Sequence, residues 1–335
     1  MMKNILKFFG ILLLIVVLLL TGFFVFFAIE FSVPDDFNYV VNDDQNTCTI
    51  LSAKNMNTLY LIVPEEIDGY TVTKIASRAF EGHKCFDVIL PKTIEYIGEG
   101  AFAYCENLLE VEGIEKCTNL KEIQQQTFRG CNRLDGILLP EGLEKIGKMA
   151  FVSCYKLSSI NIPSTVTIID DGAFAINYSM TEIKIPASVE YIGTEAFEAC
   201  MYLKSIEVEA QNANYCSVDG VLYSKDMTMI HTYPCDKAGS EFTIPDSVTT
   251  IPVSTFTYPR NLEILNIPTS VKTIEKDAIK DTKNIATLSK INYNGTIEMW
   301  NAISKDPDWA WRYLPDYTIY CTDGKLSKDG TVTYH

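Results

Sequence analysis

The chain has 335 residues, 47% of them hydrophobic and 21% charged, and a formal net charge of −15. That apolar fraction is ample for a buried core. The carboxylate excess argues against a nucleic-acid partner, since phosphate binding needs a basic face, and against an anionic lipid surface beyond the N-terminal segment.

Phe8 to Ile29 is a run of 22 residues without a charge, preceded by Lys3 and Lys7 and followed by Glu30, Asp35 and Asp36. At helical rise such a run crosses a hydrocarbon layer of ~30 Å. Positive-inside logic then puts residues 1–7 in the cytoplasm as a short tail and the rest of the chain outside. The run is longer than the apolar region of a signal peptide, and no small-x-small cleavage site follows it. It reads as an uncleaved transmembrane signal-anchor over 8–29. The alternative is a cleaved signal and a secreted protein. Residues 30–60 form a linker and an N-terminal cap, with opening strands around Phe37–Val41 and Cys48–Ile50.

Residues 61–292 repeat. A small residue followed by a large apolar one recurs as Ala79-Phe80, Ala101-Phe102, Thr127-Phe128, Ala150-Phe151, Ala173-Phe174, Ala196-Phe197, Thr255-Phe256 and Ala278-Ile279, in steps of 22, 26, 23, 23, 23, 59 and 23 residues. A fixed period of this size is the signature of a solenoid. The unit is L-x-x-I-x-I-P-x-x-V-x-x-I-G-x-x-A-F-x-x-C. The I-x-I spacing is that of a strand with one buried face, and proline ends it because it lacks an N–H for the ladder. V-x-x-I is a second short extended segment. In the corner, Gly is expected to permit unusual backbone angles and Phe to fill the interior. One turn cannot bury its own apolar side, whereas stacked turns share a continuous core. Nine or so turns at the ~4.8 Å strand spacing would extend roughly 40 Å. Phe80, Phe102, Phe128, Phe151, Phe174, Phe197 and Phe256 are the expected structural core.

Two turns depart from the unit. The turn from Val111 to Phe128 lacks the proline and carries about three extra residues around Gly113–Thr118. The 59-residue step holds a 36-residue insert, centred on 209–240. There Tyr215–Asp226 and Met229–Pro234 read as a hairpin about a Ser-Lys-Asp turn.

Cys105, Cys131, Cys154 and Cys200 each sit three residues after a corner Phe, and Asn177 holds that slot in one turn. A slot that accepts Cys or Asn is a buried, weakly hydrogen-bonding ladder position. Side chains on adjacent turns point the same way, which does not suit disulfide torsion. These cysteines are therefore expected to be reduced. Cys216 and Cys235 flank the insert, where pairing stays open.

Residues 293–335 form a C-terminal cap and tail, with Tyr293, Trp300, Trp309, Trp311, Tyr313, Tyr317 and Tyr320. Large aromatics cover an open core end well. A sugar platform is the competing reading.

The six Pro-terminated strands (Leu90-Pro91, Leu139-Pro140, Ile162-Pro163, Ile185-Pro186, Ile244-Pro245, Ile267-Pro268) share one frame with the Phe corners. In this the chain resembles the BspA-like leucine-rich repeat family of bacterial surface proteins, from Phe37 to about Tyr320. The resemblance implies a leucine-rich-repeat, right-handed β-rich solenoid with short corner helices or turns, preceded by one transmembrane helix. It implies that the D-G-V-L-Y segment of the insert is a side elaboration and that Y-x-G-T-x-x-x-W-x-x-I is the cap. It also implies adhesion to proteins or cell-surface macromolecules.

No catalytic, cofactor or metal constellation emerges. His83, His231 and His335 sit in no H-E-x-x-H or C-x-x-C context, and neither a P-loop nor G-x-S-x-G occurs. Asp43-Asp44 and Asp170-Asp171 suit solvated turns better than acid catalysis. Binding is expected on the solvent side of the first strand row, at Asp87, Ile89, Glu110, Glu112, Leu138, Ser159, Asn161, Glu182, Lys184, Ser205, Glu207, Thr243 and Asn266. The expectation is a membrane-anchored extracellular repeat protein that binds macromolecules, adhesion-like, without a cofactor and touching the membrane through 8–29 alone. The alternatives are an envelope scaffold without a foreign ligand and, remotely, an enzyme acting on glycans or peptides.

Overall fold

The computed structural model describes residues 36–280, 287–310 and 317–335. The chain divides into two compact units, Met1–Phe31 and Ser32–His335, and all described residues belong to the second. The expected anchor at 8–29 lies outside them. Among the described residues no helix is long and apolar enough to cross a membrane.

The second unit is a β-solenoid of about ten turns. The L-x-x-I-x-I segments lie side by side as parallel strands. Tyr60–Ile62, Asp87–Ile89 and Glu110–Glu112 form one group, Gly136–Leu138 pairs with Ser159–Asn161, and Glu182–Ile185 with Ser205–Val208. After the insert the row resumes with Glu241–Thr243, Ile264–Ile267, Lys290–Tyr293 and Thr318–Cys321. This row is the first sheet. Each proline carbonyl that follows accepts from the V-x-x-I valine or its equivalent three residues on, as from Ile94 to Pro91 at 3.2 Å and Val166 to Pro163 at 3.1 Å. The proline thus closes a β-turn as well as ending a strand. The V-x-x-I segments then form a second parallel sheet of two-residue strands: Glu122–Ile123, Lys145–Ile146, Ile168–Ile169 and Tyr191–Ile192.

The corners are turns rather than helices. The N–H groups of Phe80, Phe102, Phe128, Phe151, Phe174 and Phe256 each donate to the small residue of the next turn, as Phe102 to Thr127 at 2.9 Å and Phe151 to Ala173 at 2.8 Å. The residues two before and two after each Phe are left-handed, and few of them are glycine: Gln126 and Met149 before (φ 58° and 53°), Tyr104 and Ser153 after (58° and 61°). The consensus glycine does something other than expected. Gly98, Gly147 and Gly193 show no positive φ; a Cβ there would lie 2.4, 2.7 and 2.3 Å from backbone atoms of the turn before. That glycine lets two turns approach, and the left-handed positions lie elsewhere.

Phe80, Phe102, Phe128, Phe151, Phe174 and Phe197 are buried and stack ring on ring, with centroids 5.3–5.9 Å apart. Phe37 closes the N-terminal end of the stack edge-on at 6.1 Å. At the other end Trp300 is buried against Tyr293 and Trp309; it belongs to the single described α-helix, Ile297–Ala302, which Thr296 caps. A buried Trp300 offers no platform to a sugar. Trp311 and Tyr313 lie outside the described residues. The extra residues of the turn without proline form a 3-10 turn, Ile114–Lys116, entered through Gly113 at φ 85°.

The insert contains the expected hairpin about Ser224-Lys225-Asp226, between Val221–Ser224 and Ile230–Thr232, and adds one strand before it. It is a three-stranded antiparallel meander, Tyr215–Val218, Val221–Ser224 and Ile230–Thr232. Its first reversal is Asp219-Gly220, both left-handed at φ 49° and 77°, as a tight hairpin turn requires. It is no side elaboration. Val221, Leu222 and Tyr223 are all buried, with Leu222 in one core cluster and Val221 and Tyr223 in another. Because side chains alternate across a strand, this strand is a wall between two hydrophobic cores.

Candidate functional site

The outer face of the first sheet carries the residues expected to bind. Register sets them shoulder to shoulder: Asp87 beside Glu110, Ile89 beside Glu112, Leu138 beside Asn161, Glu182 beside Ser205, Lys184 beside Glu207, and Thr243 beside Asn266. Ser159 pairs with Gly136 in the same row. The two ends of this face differ. Towards the C-terminus the side chains bind one another: Asn266 donates to Glu241 at 2.7 Å and to Thr243 at 2.9 Å, and Asn292 donates to Asn266 at 2.7 Å. Towards the N-terminus Leu138, beside Asn161, is 64% exposed. Among the described residues Asp87, Glu110, Glu112, Glu182 and Glu207 make no ion pair, while Lys184 reaches Glu209 at 3.0 Å. Burial pushes the Asp87 carboxyl up.

The cysteine slots form an internal ladder. Cys105, Cys131, Cys154 and Cys200 are buried, and their thiols donate to the carbonyls of Phe80, Phe102, Phe128 and Phe174, one turn back, at 3.1–3.2 Å. Asn177 instead donates to Phe174 in its own turn at 2.8 Å, and its buried Oδ1 has no partner. His83 fills the slot in the first turn: its Nε2 faces the Asn55 carbonyl and its Nδ1 accepts from the Cys85 N–H. Burial pushes the thiols of Cys154 and Cys200 up to about 12 and raises that of Cys131. Cys216 and Cys235 are both free thiols, bonded to the carbonyls of Ser224 and Thr257.

A second feature was not anticipated: a cleft where the insert interrupts the second sheet. Beyond Tyr191–Ile192 the regular strand is missing, and side chains take over its bonds. The Ile192 N–H donates to the Tyr215 hydroxyl at 2.9 Å, and the Ile192 carbonyl accepts from His231 Nε2 at 3.0 Å. His231 Nε2 therefore carries a proton. The cleft, of 280 Å³, opens between Tyr191, Thr194, Glu198, His231, Ser254 and Glu275. At its wall Lys280 bridges Glu195 at 2.9 Å and Glu198 at 2.8 Å, and Ser254 donates to Glu195 at 2.7 Å. Burial lowers the His231 pKa, and burial raises that of Glu198. Burial also acts on Glu195, but its bonds to Lys280 and Ser254 outweigh it and leave that carboxyl low. The sequence signal was Asp219-Gly220 followed by a wholly apolar run, which marks a strand buried on both faces.

Among the described residues no group of three or more His, Cys, Asp or Glu side chains could hold a metal ion. The family described as BspA type leucine rich repeat region matches in six copies over residues 66–120, 111–217 and 231–301. The match is to a family defined by its repeat. No curated protein matches. Among solved structures, a leucine rich cell surface protein from Faecalibacterium prausnitzii is similar, with 24% identity, TM-score 0.59, and cover of 82% of this chain and 97% of that one. The pneumococcal vaccine antigen PcpA is 21% identical with TM-score 0.66, over 78% of this chain and 81% of its own. A leucine-rich repeat protein from Bacteroides ovatus is 26% identical with TM-score 0.59, over 78% and 70%. The first two likenesses, below 25% identity, speak for the fold alone. With the repeat frame, the Phe stack and a family match over most of its length, the chain belongs to the BspA-type leucine-rich repeat family.

Proposed function

We propose that this protein is held at the cell membrane by residues 8–29, displays its solenoid outside the cell, and binds another macromolecule in an adhesion-like role. The observation that carries the binding reading is the N-terminal half of the first-sheet face, where Leu138, 64% exposed, shares the row with Asp87, Glu110 and Glu112, which make no ion pair among the described residues. An apolar centre within a polar rim is the usual anatomy of a protein interface. The relatives described as a cell surface protein and as a vaccine antigen support a surface location.

Two experiments test this. Protease shaving of intact cells should remove the repeats and leave the N-terminal piece in the membrane; full protection of the repeats refutes the topology. The full chain should capture extracellular-matrix proteins in a pull-down, and Leu138→Glu with Ile89→Glu should weaken capture at least tenfold. Capture unchanged by these substitutions moves binding off this face. Retention of components of the cell's own envelope alone favours the scaffold.

A further inference from the structure

Inside the corners the stacked rings are buried phenylalanines. Just past the corners the chain carries exposed tyrosines. Tyr104, Tyr155, Tyr178 and Tyr202 are 42%, 39%, 39% and 47% exposed. Tyr155 follows the ladder residue Cys154 and Tyr178 follows Asn177, so a step of 23 residues, one repeat, puts both at the same place on adjacent turns. Their rings stack in parallel, 5.1 Å between centres and 4° between planes. The Ser179 hydroxyl donates to the Tyr155 carbonyl at 2.9 Å and ties the two turns beside the stack. The neighbouring tyrosines are out of this register. Tyr104 precedes its ladder residue Cys105, and Tyr202 lies two residues beyond Cys200. Each faces an arginine instead: the guanidinium of Arg129 lies 5.4 Å from the Tyr104 ring centre, and that of Arg260 lies 4.5 Å from Tyr202. Among the described residues Tyr155 and Tyr178 make the one stack of two tyrosines.

We propose that Tyr155 and Tyr178 are a site of oxidative modification, where a one-electron oxidant joins their rings as dityrosine and locks two adjacent turns covalently. The oxidant class is a haem peroxidase with hydrogen peroxide. It takes one electron and one proton from each phenol, and the peroxide is reduced to two waters. Spin in a phenoxyl ring is shared with the carbons ortho to the oxygen. One such carbon from each ring forms the new C–C bond. The two ring hydrogens then pass to the oxygens as both rings regain aromaticity, so the product is the original pair less two hydrogens. Two properties of the site favour this outcome. Both rings are open to the oxidant, unlike Tyr223 and Tyr233, which are 2% and 3% exposed. The fold also holds the rings in contact, which replaces a diffusive meeting of two radicals with an intramolecular step.

The test is oxidation of the dilute full chain with a haem peroxidase and peroxide, read by dityrosine fluorescence, a denaturing gel and peptide mapping. Fluorescence should appear in the monomeric chain, in a yield independent of protein concentration, and should map to a link between Tyr155 and Tyr178. Tyr155→Phe and Tyr178→Phe keep a stacked ring and lose the phenol. Each should lower the yield at least tenfold at an unaltered melting temperature. Tyr104→Phe and Tyr202→Phe should leave the yield unchanged, and unfolding in denaturant before oxidation should abolish the preference for this pair. Three results overturn the proposal: no dityrosine in the native chain, fluorescence confined to cross-linked dimers, or an undiminished yield in Tyr155→Phe.

Discussion

Replacing Phe174 with alanine tests how far the solenoid behaves as one body. The ring is fully buried and stacked on both sides, 5.6 Å from Phe151 and 5.9 Å from Phe197. Truncating a buried Phe costs ~3–5 kcal/mol. Two ring contacts are lost together, each worth ~0.5–1.5 kcal/mol beyond its area, so about 4–5 kcal/mol is expected here. At tenfold per 1.4 kcal/mol, amides that exchange through local opening should speed up about a thousandfold. Those to watch are Phe151 and Phe174, bonded to the carbonyls of Ala173 and Ala196, with Phe256, bonded to Ala278, as the distant reference. In a nearest-neighbour stack damage spreads outward from the lesion. It should run along the first core and weaken sharply at the wall of Val221–Tyr223, because Phe256 belongs to the second cluster. Equal acceleration at Phe256 refutes two cores. Unchanged protection at Phe174 refutes the role of the stack.

Three other outcomes follow from the same geometry. His231 has a lowered pKa through burial, so it contributes stability above its ordinary value of 6.5 that is lost as pH falls; amide protection around Ile192 should weaken from pH 7.5 to pH 5, and His231→Gln should flatten that dependence, whereas a pH-independent junction contradicts it. Asn177→Cys removes a buried carbonyl oxygen without a partner and lets a thiol reach the Phe151 carbonyl as its neighbours reach theirs, so it should stabilise by about 1 kcal/mol in denaturant melts, and a loss of stability would show that Oδ1 has a use. Cys105, Cys131, Cys154 and Cys200, buried and with raised pKa values, should resist a thiol reagent in the native protein and react after unfolding without reductant; mass-spectrometric detection of bridges among them would reverse this.

The solenoid could be read from the sequence because Phe, the strand-ending Pro and the I-x-I spacing recur in one frame, and each has a chemistry that a stacked turn demands. The left-handed corner positions could not. Gln126, Met149, Tyr104 and Ser153 occupy them, and no shared residue type marks a backbone angle imposed by the stacking itself. The consensus glycine was visible, but its cause was not: crowding from the preceding turn leaves no trace in one sequence. The candidate face was legible as a row of alternating residues. Its division into a self-bonded end at Thr243 and Asn266 and an open end at Leu138 depends on side-chain geometry. The junction cleft escaped because His231, Glu195 and Lys280 are far apart in the chain. The wall beside it was missed although Val221-Leu222-Tyr223 is a continuous apolar run of the kind buried on both faces.

A strand that belongs to two cores has a mechanical consequence. A chain pulled from its two ends bears load along its length, and a single cooperative body would give way in one event. Here the stretch from Phe37 to Leu222 and the stretch from Val221 to Cys321 hold together through different contacts. Pulled from its ends, the molecule should lengthen in two steps, releasing contour lengths of about 600 Å and about 350 Å at ~3.4 Å per residue. The shorter segment would act as a sacrificial extension or the longer one would, according to which core yields first. In either case the surviving half keeps its own surface presented while the other absorbs the pull.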